Sequence, residues 1–123
     1  MRVLIIDCEI RLAQAIEDVL DTFDGAAIET RIAGSYATAQ EALVTFVPDF
    51  AVVDVSAMSI DYHFDLARLE ALFAMAPSCR IVLASAQDDP PAGYEVGPHR
   101  QWMPKPFGRC AIAKALGISL VTG

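Results

Sequence analysis

Four short apolar runs in this chain each lead into a polar residue: two aspartates, a serine and, one residue further on, a lysine. Val3-Leu4-Ile5-Ile6 leads into Asp7, Ala51-Val52-Val53 into Asp54, Ile81-Val82-Leu83-Ala84 into Ser85, and Trp102-Met103 into Pro104-Lys105-Pro106-Phe107. Continuous apolar runs are how strands read when a parallel sheet is covered on both faces. In such a sheet the carboxyl ends of the strands share one edge, so the runs would bring two carboxylates, a hydroxyl and an ammonium into one crevice. That set handles phosphate and cations. Where a second carboxylate after Asp7 would serve such a site, the chain has Cys8.

The segments between the runs have helical spacing, and five strand-helix cycles predict an α/β fold: a doubly wound, five-stranded parallel sheet. Strand one covers Arg2 to Asp7. Ile10, Ala13, Ile16, Val19, Leu20 and Phe23 then recur at helical spacing, and Asp24-Gly25 closes that helix. Ala27 to Ile32 has the alternating, β-branched character of a second strand. A helix opened by Gly34-Ser35 carries Ala39, Ala42, Leu43 and Phe46, and Pro48 stops it. Strand three is Phe50 to Asp54. After a loop of small residues, a helix from about Phe64 places Leu66, Leu69, Leu72, Phe73 and Met75 on one side, and Pro77 ends it.

Strand four is Arg80 to Ala84, and after it the pattern thins. Asp88-Asp89-Pro90-Pro91-Ala92-Gly93 leaves room for one or two helical turns near Ala92 to Val96 at most. Trp102 to Lys105 makes a fifth strand, and Pro104 within it requires an edge position, where a missing N–H breaks no interior ladder. The last helix, Arg109 to Leu116, is short and capped by Gly117, and the apolar tail Ile118-Ser119-Leu120-Val121 has no evident partner. The fourth and fifth helices are thus both reduced.

The 123 residues fit a single domain, 1–123, long enough to bury a full core. Although 54% of the residues are hydrophobic, no apolar stretch reaches the roughly 18 residues of a membrane span. The run beginning at Met1 is too short for a signal peptide and acids follow at once, so the cytosol is the default compartment. Nine basic against 16 acidic residues give a net charge of −7, which disfavours contact with nucleic acid or anionic lipid. Cys8, Cys79 and Cys110 are odd in number and far apart, which argues against a disulfide framework or structural zinc.

An acid after strand one, Asp54 ending strand three, Ser85-Ala86 after strand four and Lys105-Pro106-Phe107 after strand five resemble the receiver domain of two-component response regulators, the CheY-like family. The resemblance covers the whole chain and implies strand order 2-1-3-4-5. It implies that Asp54 accepts a phosphoryl group from a histidine kinase or phosphotransfer protein. It further implies that Lys105 pairs with that carboxylate, that Ser85 is the switch hydroxyl, and that Trp102 holds the place of the switch aromatic. On the residues alone, Trp102 is equally plain edge-strand packing. The resemblance also implies a cis Lys105-Pro106 peptide and a downstream protein partner. With no effector domain after residue 123, output is expected through protein contact, and the reduced last helices argue against the family's usual symmetric dimer.

The departures concern the metal. In family terms Mg²⁺ is held by Asp7 through water, by the acid that Cys8 replaces, by Asp54 and by the backbone carbonyl of Ser56. A neutral thiol is a poor ligand for so hard an ion. Mg²⁺ is therefore expected to bind weakly or not at all, unless Glu9 reaches in. Two carboxylates about 5 Å apart repel by roughly 3 kcal/mol at an effective dielectric of about 20. With one acid fewer, Lys105 alone could balance the site. Cys8 itself is expected to be a small buried hydrophobe. The loop after Asp54 lacks the family's usual proline, and Tyr62 stands in place of the customary glycine.

Two functions compete on this reading. One is a phosphorylatable receiver; the other is a pseudo-receiver that contacts partners without phosphate because Cys8 has replaced a metal-binding acid. A flavodoxin-like enzyme or cofactor binder is disfavoured, since no glycine-rich phosphate loop follows strand one.

Overall fold

The structure, a computed structural model, describes residues 1–23, 27–87 and 89–118. Five parallel strands form one sheet: β1 (Arg2–Ile6), β2 (Glu29–Ala33), β3 (Phe50–Asp54), β4 (Arg80–Ser85) and β5 (Arg100–Pro104), in the order β2-β1-β3-β4-β5. This is the predicted doubly wound arrangement. Among the described residues four helices flank it: α1 (Ile10–Asp21), α2 (Tyr36–Thr45), α3 (Leu66–Phe73) and α4 (Arg109–Ala115).

The apolar runs are continuous because the sheet has two covered faces. Leu4, Ile6, Ala51, Val53, Ile81 and Leu83 point to the side of α2 and α3, where they meet Ala39, Leu43, Leu69 and Leu72. Their neighbours Val3, Ile5, Val52 and Val82 point to the side of α1 and α4, against Ala13, Leu20, Ile112 and Leu116. Each strand residue thus has a helix to pack on, whichever face its side chain takes.

Several boundaries differ from the sequence expectation. β2 begins two residues later than Ala27, while Asp24-Gly25 lies outside the described residues. The loop after β3 is partly ordered by hydrogen bonds: Val55–Met58 forms a 3₁₀ turn, and Ser59–Ile60 pairs antiparallel with His63–Phe64 in a small hairpin. α3 therefore starts at Leu66, where the Asp65 side chain accepts the Arg68 N–H at 3.2 Å. It stops at Phe73, so Met75 falls beyond it and is exposed rather than buried.

Between β4 and β5 no helix forms among the described residues. The surface a helix would cover is instead filled by Tyr94, which is buried with the α3-side core and donates its hydroxyl to the Gln101 carbonyl at 2.8 Å. Gly93, at φ 83°, turns the chain so that this tyrosine can enter, with a Cβ at its position lying only 3.0 Å from Leu66. Arg100 adds a bidentate ion pair to Glu70 that ties β5 to α3. β5 is an edge strand, and Pro104 is its last residue, as the missing N–H requires. After α4, Gly117 takes φ 71° and Ile118 packs on the α1-side core, whereas residues 119–123 lie outside the described residues. Among the described residues, no helix is long and apolar enough to cross a membrane.

Candidate functional site

Parallel pairing in register places the chemistry. Asp54 ends β3 opposite Ala84, and Ser85, one residue on, ends β4 opposite Pro104. The Lys105 N–H donates to the Ser85 carbonyl at 2.7 Å, which holds the lysine at the same edge. Asp7 leaves β1 with its N–H on the Ala33 carbonyl at 3.1 Å. Asp7, Asp54 and Ser85 are the buried polar residues among those described, at 3%, 7% and 4% exposure. Three polar side chains this deeply buried all belong to the crevice.

Asp54 is held at both oxygens. Oδ1 accepts the Ser56 N–H at 2.8 Å, and Oδ2 accepts a hydrogen bond from the Lys105 ammonium. Burial pushes the Asp54 carboxyl up, but the hydrogen bonds from Lys105 and Ser56, with the lysine charge, outweigh it and hold the group below the ordinary carboxylate value. Asp7 has no such partner. Burial pushes it up, the Glu9 N–H on its Oδ1 at 2.9 Å opposes this, and the nearby Asp54 charge adds to the rise, so it ends above the ordinary value. Ser85 Oγ accepts the Gln87 N–H at 3.1 Å. The Lys105-Pro106 peptide is cis.

The sequence expectations for the metal corner meet a different geometry. Cys8 is exposed, not a buried hydrophobe, because it sits in the bend between β1 and α1, past the last strand residue that the helices cover. Glu9 is exposed at the N-cap of α1, where its backbone N–H is used by Asp7. The Ser56 carbonyl already accepts the Ser59 N–H that closes the 3₁₀ turn. Among the described residues, no three His, Cys, Asp or Glu side chains converge on a point that could hold a metal ion. The carboxylates at this edge are Asp7 and Asp54, and the second is ion-paired to Lys105.

Trp102 lies on β5 opposite Leu83, partly buried against the α3-side core. Its indole N–H is buried and has no hydrogen-bond partner among the described residues. Gln87 and the hairpin before α3 had no sequence signal as neighbours of the site. Both are loop residues whose contacts run between crossovers, where no periodicity registers them.

No family model and no curated protein matches the chain. Solved structures do match its fold. The signal receiver domain of an HD domain-containing protein from Pseudomonas fluorescens Pf-5 superposes with a TM-score of 0.73 at 15% identity, over 94% of this chain and 90% of that one. This chain has the receiver fold. A response regulator receiver domain protein from Clostridium thermocellum gives a TM-score of 0.72 at 16% identity, over 94% of this chain and 90% of that one. For the Vibrio cholerae chemotaxis protein CheY4 the score is 0.68 at 18% identity, over 94% of this chain and 95% of that one. Within the receiver fold the crevice described above occupies the carboxyl edge of the sheet, the place where open α/β sheets bind their ligands.

Proposed function

We propose that the chain is a response-regulator receiver that takes a phosphoryl group on Asp54 from a histidine kinase or phosphotransfer protein and signals by protein contact. The observation that carries this reading is the Asp54-Lys105 ion pair at the sheet edge, with the Ser85 hydroxyl on the neighbouring strand. An oxygen of Asp54 attacks the phosphorus of a partner's phosphohistidine, the new P–O bond forms as the P–N bond breaks, and the imidazole leaves and takes up a proton from solvent. Lys105 keeps Asp54 ionised beforehand and offers its charge to the phosphoryl oxygens afterwards. Ser85 exchanges its bond from Gln87 for one to the phosphoryl group. A groove of about 520 Å³ along α1, lined by Leu12, Ile16, Lys105, Pro106 and Phe107, gives a partner protein an apolar approach to the same edge.

A second reading is favoured by the metal corner. With Cys8 turned out to solvent and one acid missing, Mg²⁺ binds weakly or not at all, and the chain serves as a pseudo-receiver whose contacts need no phosphate. One experiment separates the two. The protein is incubated with acetyl phosphate and Mg²⁺ and weighed intact, beside Asp54→Asn and Cys8→Asp. Addition of one phosphoryl mass to the parent, absent in Asp54→Asn, supports the acceptor. Labelling that arises only in Cys8→Asp supports the pseudo-receiver.

A further inference from the structure

The hairpin after β3 has a tip built against conformational preference. Asp61 and Tyr62 both lie in the left-handed region, at φ 51° and 65°. A two-residue turn of this kind favours glycine at its second position. Tyrosine there is strained, yet its side chain gains no burial in return: Tyr62 stands fully in solvent, at 103% relative exposure. The base beneath it is firm. Ser59 Oγ donates to the Val55 carbonyl at 2.8 Å, the Asp65 N–H to the Met58 carbonyl at 2.9 Å, and Arg68 Nη1 to the Ser59 carbonyl at 3.3 Å. The ring is therefore presented on a fixed support.

Elsewhere four of this protein's ten aromatic rings lie under an arginine. Arg68 lies 4.4 Å from the centre of Tyr36, Arg31 4.9 Å from Phe46, Arg109 4.9 Å from Phe23 and Arg80 5.6 Å from Phe50. Among the described residues, no guanidinium lies over Tyr62. Two acids belong to the same hairpin: Asp61 precedes it in the turn, and Asp65 follows the second strand as the N-cap of α3. Arg68, the nearest arginine along the chain, is already held by Tyr36 and the Ser59 carbonyl. Between hairpin and crossover runs a polar cleft of about 320 Å³, walled by Tyr62, His63, Phe64, Gln87 and Pro91, with Ser85 at one end.

We propose that Tyr62 and this cleft receive an arginine-bearing segment of a partner protein. The guanidinium stacks on the open face of the ring and is drawn in by Asp61, by Asp65 at the foot of the hairpin and by the chain's net charge of −7. A second copy of this chain is a poor occupant, because two acidic tips would meet and each chain carries a net charge of −7. The proposal does not depend on phosphorylation of Asp54.

The test follows amide shifts of ¹⁵N-labelled protein during titration with a short arginine-glycine peptide, beside the lysine-glycine counterpart. Saturable shifts are expected at Ser59 to Phe64, Ser85 and Gln87, stronger with arginine and weakening as salt rises. Tyr62→Phe keeps the ring and should bind as the parent does. Tyr62→Gly should lose about two- to fivefold in affinity, the scale of an exposed cation–π contact. Because glycine relaxes the turn, its melting temperature should stay level or rise, so the loss cannot be ascribed to unfolding. Equal affinity in Tyr62→Gly, or shifts spread over acids elsewhere, would overturn the proposal. So would self-association in sedimentation that Tyr62→Gly abolishes, since the occupant would then be a second copy.

Discussion

Asp7 and Asp54 end or follow adjacent strands of one sheet, both nearly inaccessible to water, and they are driven in opposite directions. Burial raises both. Asp54 also has Lys105 on one oxygen and the Ser56 N–H on the other, and falls below the ordinary carboxylate value. Asp7 has one backbone N–H and a like-charged neighbour, and rises above it. The largest difference between them is the direct hydrogen bond from the Lys105 ammonium, which reaches Asp7 only as a charge at a distance. It makes Asp54 a group whose ionisation is favoured by a counter-charge, and leaves Asp7 a group whose ionisation works against the fold.

The comparison is broken most forcefully by removing the ammonium. Lys105→Met should destabilise the protein by about 2 kcal/mol at neutral pH, less than the roughly 3–5 kcal/mol of a fully buried pair. The discount reflects the lysine side chain's 31% exposure, which lets solvent screen part of the interaction. Since the folded-state value of Asp54 is lowered, its contribution is present above the unfolded value and is lost as pH falls through the folded one. The gap between parent and Lys105→Met should therefore close in acid. Urea unfolding across the carboxylate range measures it, and a gap independent of pH would show that Lys105 acts through packing.

For Asp7 the sign reverses. Its folded value is raised, so its charge costs stability at neutral pH, and that cost disappears as pH falls through the raised value towards the unfolded one. Asp7→Asn keeps an acceptor for the Glu9 N–H and should stabilise the protein by about 1 kcal/mol at pH 7, the order of one screened repulsion. The gain should fade in acid. Destabilisation by this substitution would mean that the charge of Asp7 is needed, which places a cation in the crevice.

How much of this could be read from the chain depended on whether periodicity or loop contact carries the information. The strand ends and Pro104 at an edge follow from runs of apolar residues and from proline's missing N–H, which are local, whereas the sheet order came with the family resemblance. Tyr94 filling the place of a helix does not, because a lone aromatic in a loop has no pattern to announce its burial. The hairpin at Ser59 to Phe64 was hidden for a related reason: its two strands have two residues each, and its tip lacks the glycine that marks such a turn. Cys8 departs from the average burial of cysteine because this position lies past the last strand residue that helices cover. Asp54, Ser85 and Lys105 converge because the register of parallel strands determines where each chain leaves the sheet.

The finest test adds an acid at the exposed corner. Cys8→Asp would place a third carboxylate beside Asp7 and Asp54. In EDTA this should cost about 0.5–1 kcal/mol, or a few degrees of melting temperature, because the new charge is partly screened by solvent. Mg²⁺ should reverse the loss: a ligand at tenfold its dissociation constant adds about 1.4 kcal/mol to the folded state. The parent should show little or no shift with Mg²⁺ at the same concentration. Equal shifts in both proteins would mean that Asp7 and Asp54 hold the ion without help, and that Cys8 is a tolerated neighbour. A shift confined to the variant would make the contrast between the two acids a consequence of what stands at residue 8, since a bound dication would lower both carboxyls and erase their difference.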